Sequence, residues 1–136
     1  MAPKTRPTDA DVTAFLDAVP SARRRAEGHE VRSLMERVTG EKAVMWGPTM
    51  VGFGSAPITN TTGTNDWFIL GFAPRAAALT LYGVFDENEG AVDPLFSELG
   101  PHEASKACLY LKRLDAVDAD VLERLVRAAW ERARRS

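Results

Sequence analysis

The side chains of this sequence best suited to chemistry are scattered rather than grouped. One cysteine, Cys108, stands in the stretch Ala107-Cys108-Leu109-Tyr110-Leu111, two histidines, His29 and His102, lie far apart, and four acids, Asp86, Glu87, Glu89 and Asp93, crowd into one loop-like segment. Nucleophilic catalysis needs a nucleophile beside a base, and acid–base catalysis needs titratable groups held together. No such constellation is visible, so the sequence predicts a protein that is not an enzyme. A lone cysteine forms no internal disulfide and excludes a cysteine-cluster metal site. Among apolar neighbours Cys108 reads as a small hydrophobe rather than a reactive thiol. His29 falls on the polar side of a helical pattern and reads as solvated.

The binding chemistry centres on glycine and tryptophan. Trp46, Phe53, Trp67, Phe72 and Tyr82 surround Gly47, Gly52, Gly54 and Gly71. Glycine within a strand marks a bulge or a close approach of ligand or backbone. The set therefore predicts either a sheet core whose glycines make room for indole rings or an aromatic-lined pocket. In the second case Arg75 or Lys106 stands at the mouth, and the planar fork of Arg75 suits a carboxylate or phosphate. His102 is near enough to Lys106 in sequence for both to reach one ligand. The candidate set is thus Trp46, Gly47, Phe53, Trp67, Arg75, Tyr82, His102 and Lys106, and the expected ligand is small and anionic or aromatic.

Two alternatives stand beside this reading. Asp86, Glu87, Glu89 and Asp93 are oxygen donors that suit a hard cation, although four acids across eight residues are also what a solvated loop looks like. The central aromatics could instead form a contact surface in a homodimer. No partner of other kinds is expected. The basic positions Arg23-Arg24-Arg25 and Arg132, Arg134 and Arg135 lie in helical patterns, and the last three suit a helix C-terminus, so no nucleic-acid footprint is read.

The elements that position these residues follow from periodicity. Thr8 reads as an N-cap, with Val12, Phe15, Leu16 and Val19 on one helical face. Ser21 caps a second helix carrying Val31, Leu34, Met35 and Val38, which Gly40 ends. Residues 43–46 and 50–53 are short apolar runs around Gly47-Pro48-Thr49 and predict a hairpin. After a small and polar stretch over 54–66, the runs 67–72 and 78–82 predict a second hairpin around Pro74-Arg75. Asp93-Pro94 opens a short helix ending near Gly100, residues 107–111 alternate as a strand, and Asp118 caps a last helix bearing Leu122, Leu125, Val126 and Ala129.

These elements predict an α+β domain of two layers: two N-terminal helices, a central antiparallel or mixed sheet of about five strands, a short helix and a C-terminal helix. At 136 residues, 45% hydrophobic and 26% charged, the chain has the size of one domain, 1–136, with residues 1–7 as a flexible start. Such a domain buries roughly two-thirds of its unfolded surface. No apolar run reaches the ~18 residues of a membrane span. The N-terminus lacks the apolar segment of a secretory signal, so a cytoplasmic protein is expected and the sequon Asn60-Thr61-Thr62 is read as silent.

Three stretches carry a family resemblance. They are Met45-Trp46-Gly47-Pro48-Thr49-Met50-Val51-Gly52-Phe53-Gly54; Asp66-Trp67-Phe68-Ile69-Leu70-Gly71-Phe72-Ala73-Pro74-Arg75 with Leu79-Thr80-Leu81-Tyr82; and Leu99-Gly100 through Lys106-Ala107-Cys108-Leu109-Tyr110-Leu111 to Asp118. Together they resemble the YdhG-like family, mostly bacterial domains of unknown function, over nearly the whole chain. The resemblance implies little about activity, since most members carry none, but some wider relatives are frataxin-like intracellular iron chaperones. Two departures stand out. The family's basic, glycine-containing segment after Leu99-Gly100 reads Pro101-His102-Glu103-Ala104-Ser105 here, and Ala76-Ala77 follows Arg75 in place of a second basic residue.

Overall fold

The computed structural model describes residues 7–60, 63–86 and 94–135. Helix α1 (Val12–Asp17) is capped by Asp11 rather than by Thr8: the Asp11 carboxylate accepts from the Ala14 amide at 3.1 Å. Thr8 is spoken for by the sheet. Its N–H donates to the Met45 carbonyl at 2.8 Å, beside a bridge that pairs Pro7 with Trp46. Helix α2 (Ala22–Thr39) has the expected ends, with Ser21 Oγ accepting from the Arg24 amide at 3.2 Å and Gly40 in the left-handed region at φ +69°.

The sheet is built from hairpins. β1 (Val44–Trp46) and β2 (Met50–Phe53) pair around the predicted turn. The polar stretch that follows is not a plain connection: β3 (Ala56–Asn60) and β4 (Gly63–Trp67) form a hairpin of their own. The apolar run 67–72 is correspondingly not one strand. β4 ends at Trp67, Phe68 and Ile69 turn the corner, and β5 (Leu70–Pro74) begins after them before pairing with β6 (Leu79–Tyr82). β7 (Glu103–Ser105) and β8 (Cys108–Leu111) close the set around Lys106, which holds φ +55° in their turn. Three residues are too few to show alternation, and this is why β7 escapes the periodicity argument.

Six of these strands make one antiparallel sheet in the order β1-β2-β5-β6-β8-β7, with β3-β4 apart from it. The α+β, two-layer architecture therefore holds; the sheet is purely antiparallel and one strand wider than the periodicity suggests. Short α3 (Phe96–Leu99) stops before Gly100 as expected, while Asp93 lies outside the described residues. α4 (Ala119–Arg135) is capped by Asp118, whose Oδ1 accepts from the Val121 amide at 3.1 Å. No helix among the described residues is long and apolar enough to cross a membrane.

Side chains alternate across the sheet, so each strand serves two faces. The inner face carries Met45, Val51, Phe53, Leu70, Phe72, Leu79, Leu81, Leu109 and Leu111, all buried against the helices. The outer face carries Trp46, Gly52, Gly71, Ala73, Thr80, Tyr82, Cys108 and Tyr110. Cys108 is half-buried there, opposite in sense to the buried Leu109 and Leu111, as the alternation predicts.

A buried polar network joins the layers. Arg24 and Glu27 are 4% and 6% exposed, and Arg24 Nη1 donates to Glu27 Oε1 at 2.7 Å. The second carboxylate oxygen accepts the Leu114 amide at 2.8 Å, and Arg24 Nη2 donates to the Lys112 carbonyl at 3.3 Å. Helix α2 thereby grips the chain just after β8. Removing one partner of a buried pair strands the other, at a cost of about 3–5 kcal/mol. Glu27→Ala is expected to lose that much in urea denaturation, and Glu27→Gln, which keeps an acceptor for Leu114, to lose less. An unchanged midpoint in Glu27→Ala would show that the grip contributes nothing.

Candidate functional site

The structure divides the sequence-predicted set into three places. Trp46, Trp67 and Tyr82 gather on the outer face together with Phe68, which sequence reasoning missed because it sat inside a uniformly apolar run. The Trp46 and Trp67 rings meet edge to face at 5.9 Å, Phe68 lies 5.6 Å from Trp46 and 5.7 Å from Tyr82, and Trp67 stacks on Phe68 at 4.5 Å. Phe53 is on the other side of the sheet, stacked on Phe72 at 6.4 Å, because its register points it at the helices. It does not join the tryptophans. Gly47 holds φ +69° in the β1–β2 turn.

The outer-face glycines are occupied by rings. A Cβ on Gly52 would lie 2.6 Å from Trp46 Cδ1 and 2.7 Å from Phe68 Cβ. One on Gly71 would lie 2.7 Å from the Val51 carbonyl oxygen and 2.8 Å from Phe68 Cε1. Gly52 and Gly71 pair directly across β2 and β5, so the two together form a flat ledge under the aromatic rings. With Trp46 only 2% exposed and Phe68 4%, this cluster is packed tightly on its ledge. The Arg75 guanidinium reaches back along the same face and donates to Tyr82 Oη at 3.1 Å.

His102 and Lys106 stand at opposite ends of β7, Lys106 in the turn to β8. The metal candidates divide too. Glu87, Glu89 and Asp93 lie outside the described residues, and among the described residues no group of three or more histidines, cysteines or acids is placed to hold a metal ion.

A groove of about 830 Å³ lies at the end of the outer face where the β5–β6 turn, the segment before β7 and the segment after β8 converge. Its apolar walls come from Ala77, Ala78, Pro101 and Ala116; its polar groups are His102, Glu103, Tyr110, Lys112 and Arg113. This size and this mixture of apolar wall and few polar groups are typical of small-molecule sites. Of the predicted residues only His102 is here. The others needed strand pairing to be found: Leu79 faces Leu111 and Glu103 faces Tyr110, which brings together residues that no local motif connects.

The wall after β8 is held firmly. The Lys112 carbonyl accepts from Arg23 Nη1 at 3.0 Å as well as from Arg24. Arg113 makes a two-pronged contact with Asp115, Nε to Oδ1 at 2.9 Å and Nη2 to Oδ2 at 2.8 Å. That hydrogen bonding raises the Arg113 guanidinium above its usual value and holds the Asp115 carboxyl below the usual carboxylate range. With Arg113 paired to Asp115, the Lys112 ammonium is the groove's cation without a partner among the described residues.

Comparison of the chain with protein-family models, with curated proteins and with solved structures found no match.

Two outcomes are expected. Gly52→Ala should cost about 1–3 kcal/mol in chemical denaturation, the usual cost of overpacking, because its methyl group would collide with Trp46 and the Phe68 Cβ. Because Asp115 has a depressed folded-state pKa, the contact with Arg113 is present above the ordinary carboxylate value and is lost only as pH falls through the lower folded value. A carboxyl-carbon NMR titration should place the Asp115 midpoint below that of an exposed aspartate, and Arg113→Gln should return it to normal.

Proposed function

We propose that this protein is a YdhG-like domain that binds a small organic anion with an aromatic or otherwise apolar body, without transforming it, in the groove beside β8. The observation that carries the reading is the unpartnered Lys112 ammonium on an otherwise largely apolar wall. A carboxylate placed there meets a full positive charge, and charge-assisted hydrogen bonds are the stronger ones. The apolar walls and the Tyr110 ring suit the remainder of such a ligand.

Preorganisation supports the same reading. Binding costs less when the site does not have to be ordered first, and the segment bearing Lys112 is clamped by Arg23, Arg24 and Glu27. In this proposal the Gly52–Gly71 ledge and its aromatic rings are the scaffold beside the site, and Arg75 is engaged by Tyr82 rather than by ligand.

Calorimetric titration with a naphthoate and its neutral amide tests the proposal. The acid is expected to bind and the amide to bind poorly. A hydrogen bond to a charged group is worth about 1.5–3 kcal/mol, so Lys112→Gln should weaken the acid by about tenfold or more. Arg75→Ala should leave its affinity unchanged. Equal binding of acid and amide, or an affinity indifferent to Lys112→Gln, would overturn the reading.

A further inference from the structure

The groove's other polar groups restrict what the anion can look like. His102 Nδ1 lies 2.8 Å from the Gly100 carbonyl oxygen. A carbonyl oxygen can only accept, so Nδ1 must carry the proton in that contact, and in the neutral ring the remaining nitrogen, Nε2, is a bare acceptor. The ring is also fixed on its other side, 5.8 Å from Phe96. Two contacts thus hold the imidazole in one tautomer and one place, and Nε2 has no donor among the described residues.

Glu103, the next residue, lines the same groove. An ionised carboxylate is acceptor-only, and it too has no partner among the described residues. Lys112 is not within ion-pair distance of it, since the ion pairs of the described residues include none between the two. The groove therefore sets two adjacent acceptors, on the segment that leads into β7, against one cation beyond the end of β8. A ligand bearing only a carboxylate would satisfy Lys112 and leave both acceptors facing it, one of them negatively charged.

Resting on the binding reading above, we infer that the groove's ligand is a hydroxy or amino acid in the chemical sense: an apolar or aromatic body with a carboxylate at one end and a hydrogen-bond donor at the other. His102 and Glu103 are the residues that select the donor. Acceptors left without a donor in a bound complex are costly, whereas the same groups paired contribute to affinity, and this asymmetry is what gives polar groups their power to discriminate.

The test compares a hydroxynaphthoate with its methyl ether by calorimetry at mildly alkaline pH. The two differ by one donor and share the carboxylate and the ring. Wild-type protein should prefer the hydroxy acid by about tenfold, the worth of one good hydrogen bond. His102→Phe, which keeps a ring beside Phe96, should remove most of that preference. Glu103→Gln should narrow it while raising the affinity of the methyl ether, because a repelling charge is gone; a purely structural role for Glu103 would not move the two ligands in opposite senses. Equal affinities for both ligands in the wild type would overturn this inference and leave anion binding intact. A preference that survives both substitutions would overturn the assignment to His102 and Glu103. If neither acid binds, the anion-binding reading itself falls.

Discussion

The buried pair of Arg24 and Glu27 is the contact on which the two layers depend for their relative position. Charges are expensive to bury, and this pair is tolerated because the carboxylate oxygens and the guanidinium also meet the backbone at Leu114 and Lys112. The result is directional in a way that hydrophobic contact between helix and sheet is not. Apolar packing would accept small slides of α2 over Leu79, Leu81 and their neighbours; hydrogen bonds to two particular backbone groups do not. The segment after β8 is thereby set at one height against the helix, and the groove wall formed by Lys112 and Arg113 inherits that precision. Arg37, Glu123 and Arg127 add a second, exposed link between α2 and α4, with Glu123 accepting from both arginines.

The opposite side of the sheet is organised by absence of side chains. Gly52 and Gly71 face each other and leave a bare strip of backbone on which Trp46 and Phe68 pack, so their side chains occupy what would otherwise be methyl positions. Trp130 plays a related part at the margin, where its ring would come within 2.9 Å of a Cβ on Gly54. Tryptophan and glycine are thus complementary halves of one packing solution. A protein with one sheet face under helices must cover part of the other face by some means, and here a returning hairpin delivers Trp67 and Phe68 to do so.

How far the sequence was legible follows from these particulars. The helices capped by Ser21 and Asp118, the β1–β2 hairpin and the alternation around Cys108 could be read because each rests on local period and punctuation. The β3–β4 hairpin could not, since its small and polar residues carry no alternating apolar pattern. The apolar run 67–72 misled for the converse reason: every position is apolar, but Trp67 and Phe68 cover the outer face while Leu70 and Phe72 fill the core. Trp46, Trp67, Gly52 and Gly71 do meet on one face, yet Phe53, next to Gly52 in β2, faces the other way. Most of the groove was invisible for a topological reason. Its residues come from three connections that meet only once β6, β8 and β7 are side by side, and a single chain carries no local record of that pairing.

The margins of the sheet have a consequence for how this domain behaves in a crowd of its own kind. A strand with free backbone groups along its outer side is a template on which another strand can grow. Along β1 that template is already taken, by Pro7 bridging to Trp46 and Thr8 donating to Met45, and the proline nitrogen offers no hydrogen for a further neighbour. At the other margin β7 is three residues long and displays Glu103, too short and too charged to recruit a partner. Pro7 and Thr8 are thus more than a lead-in to α1: they occupy the β1 border on which a strand of another copy could otherwise grow.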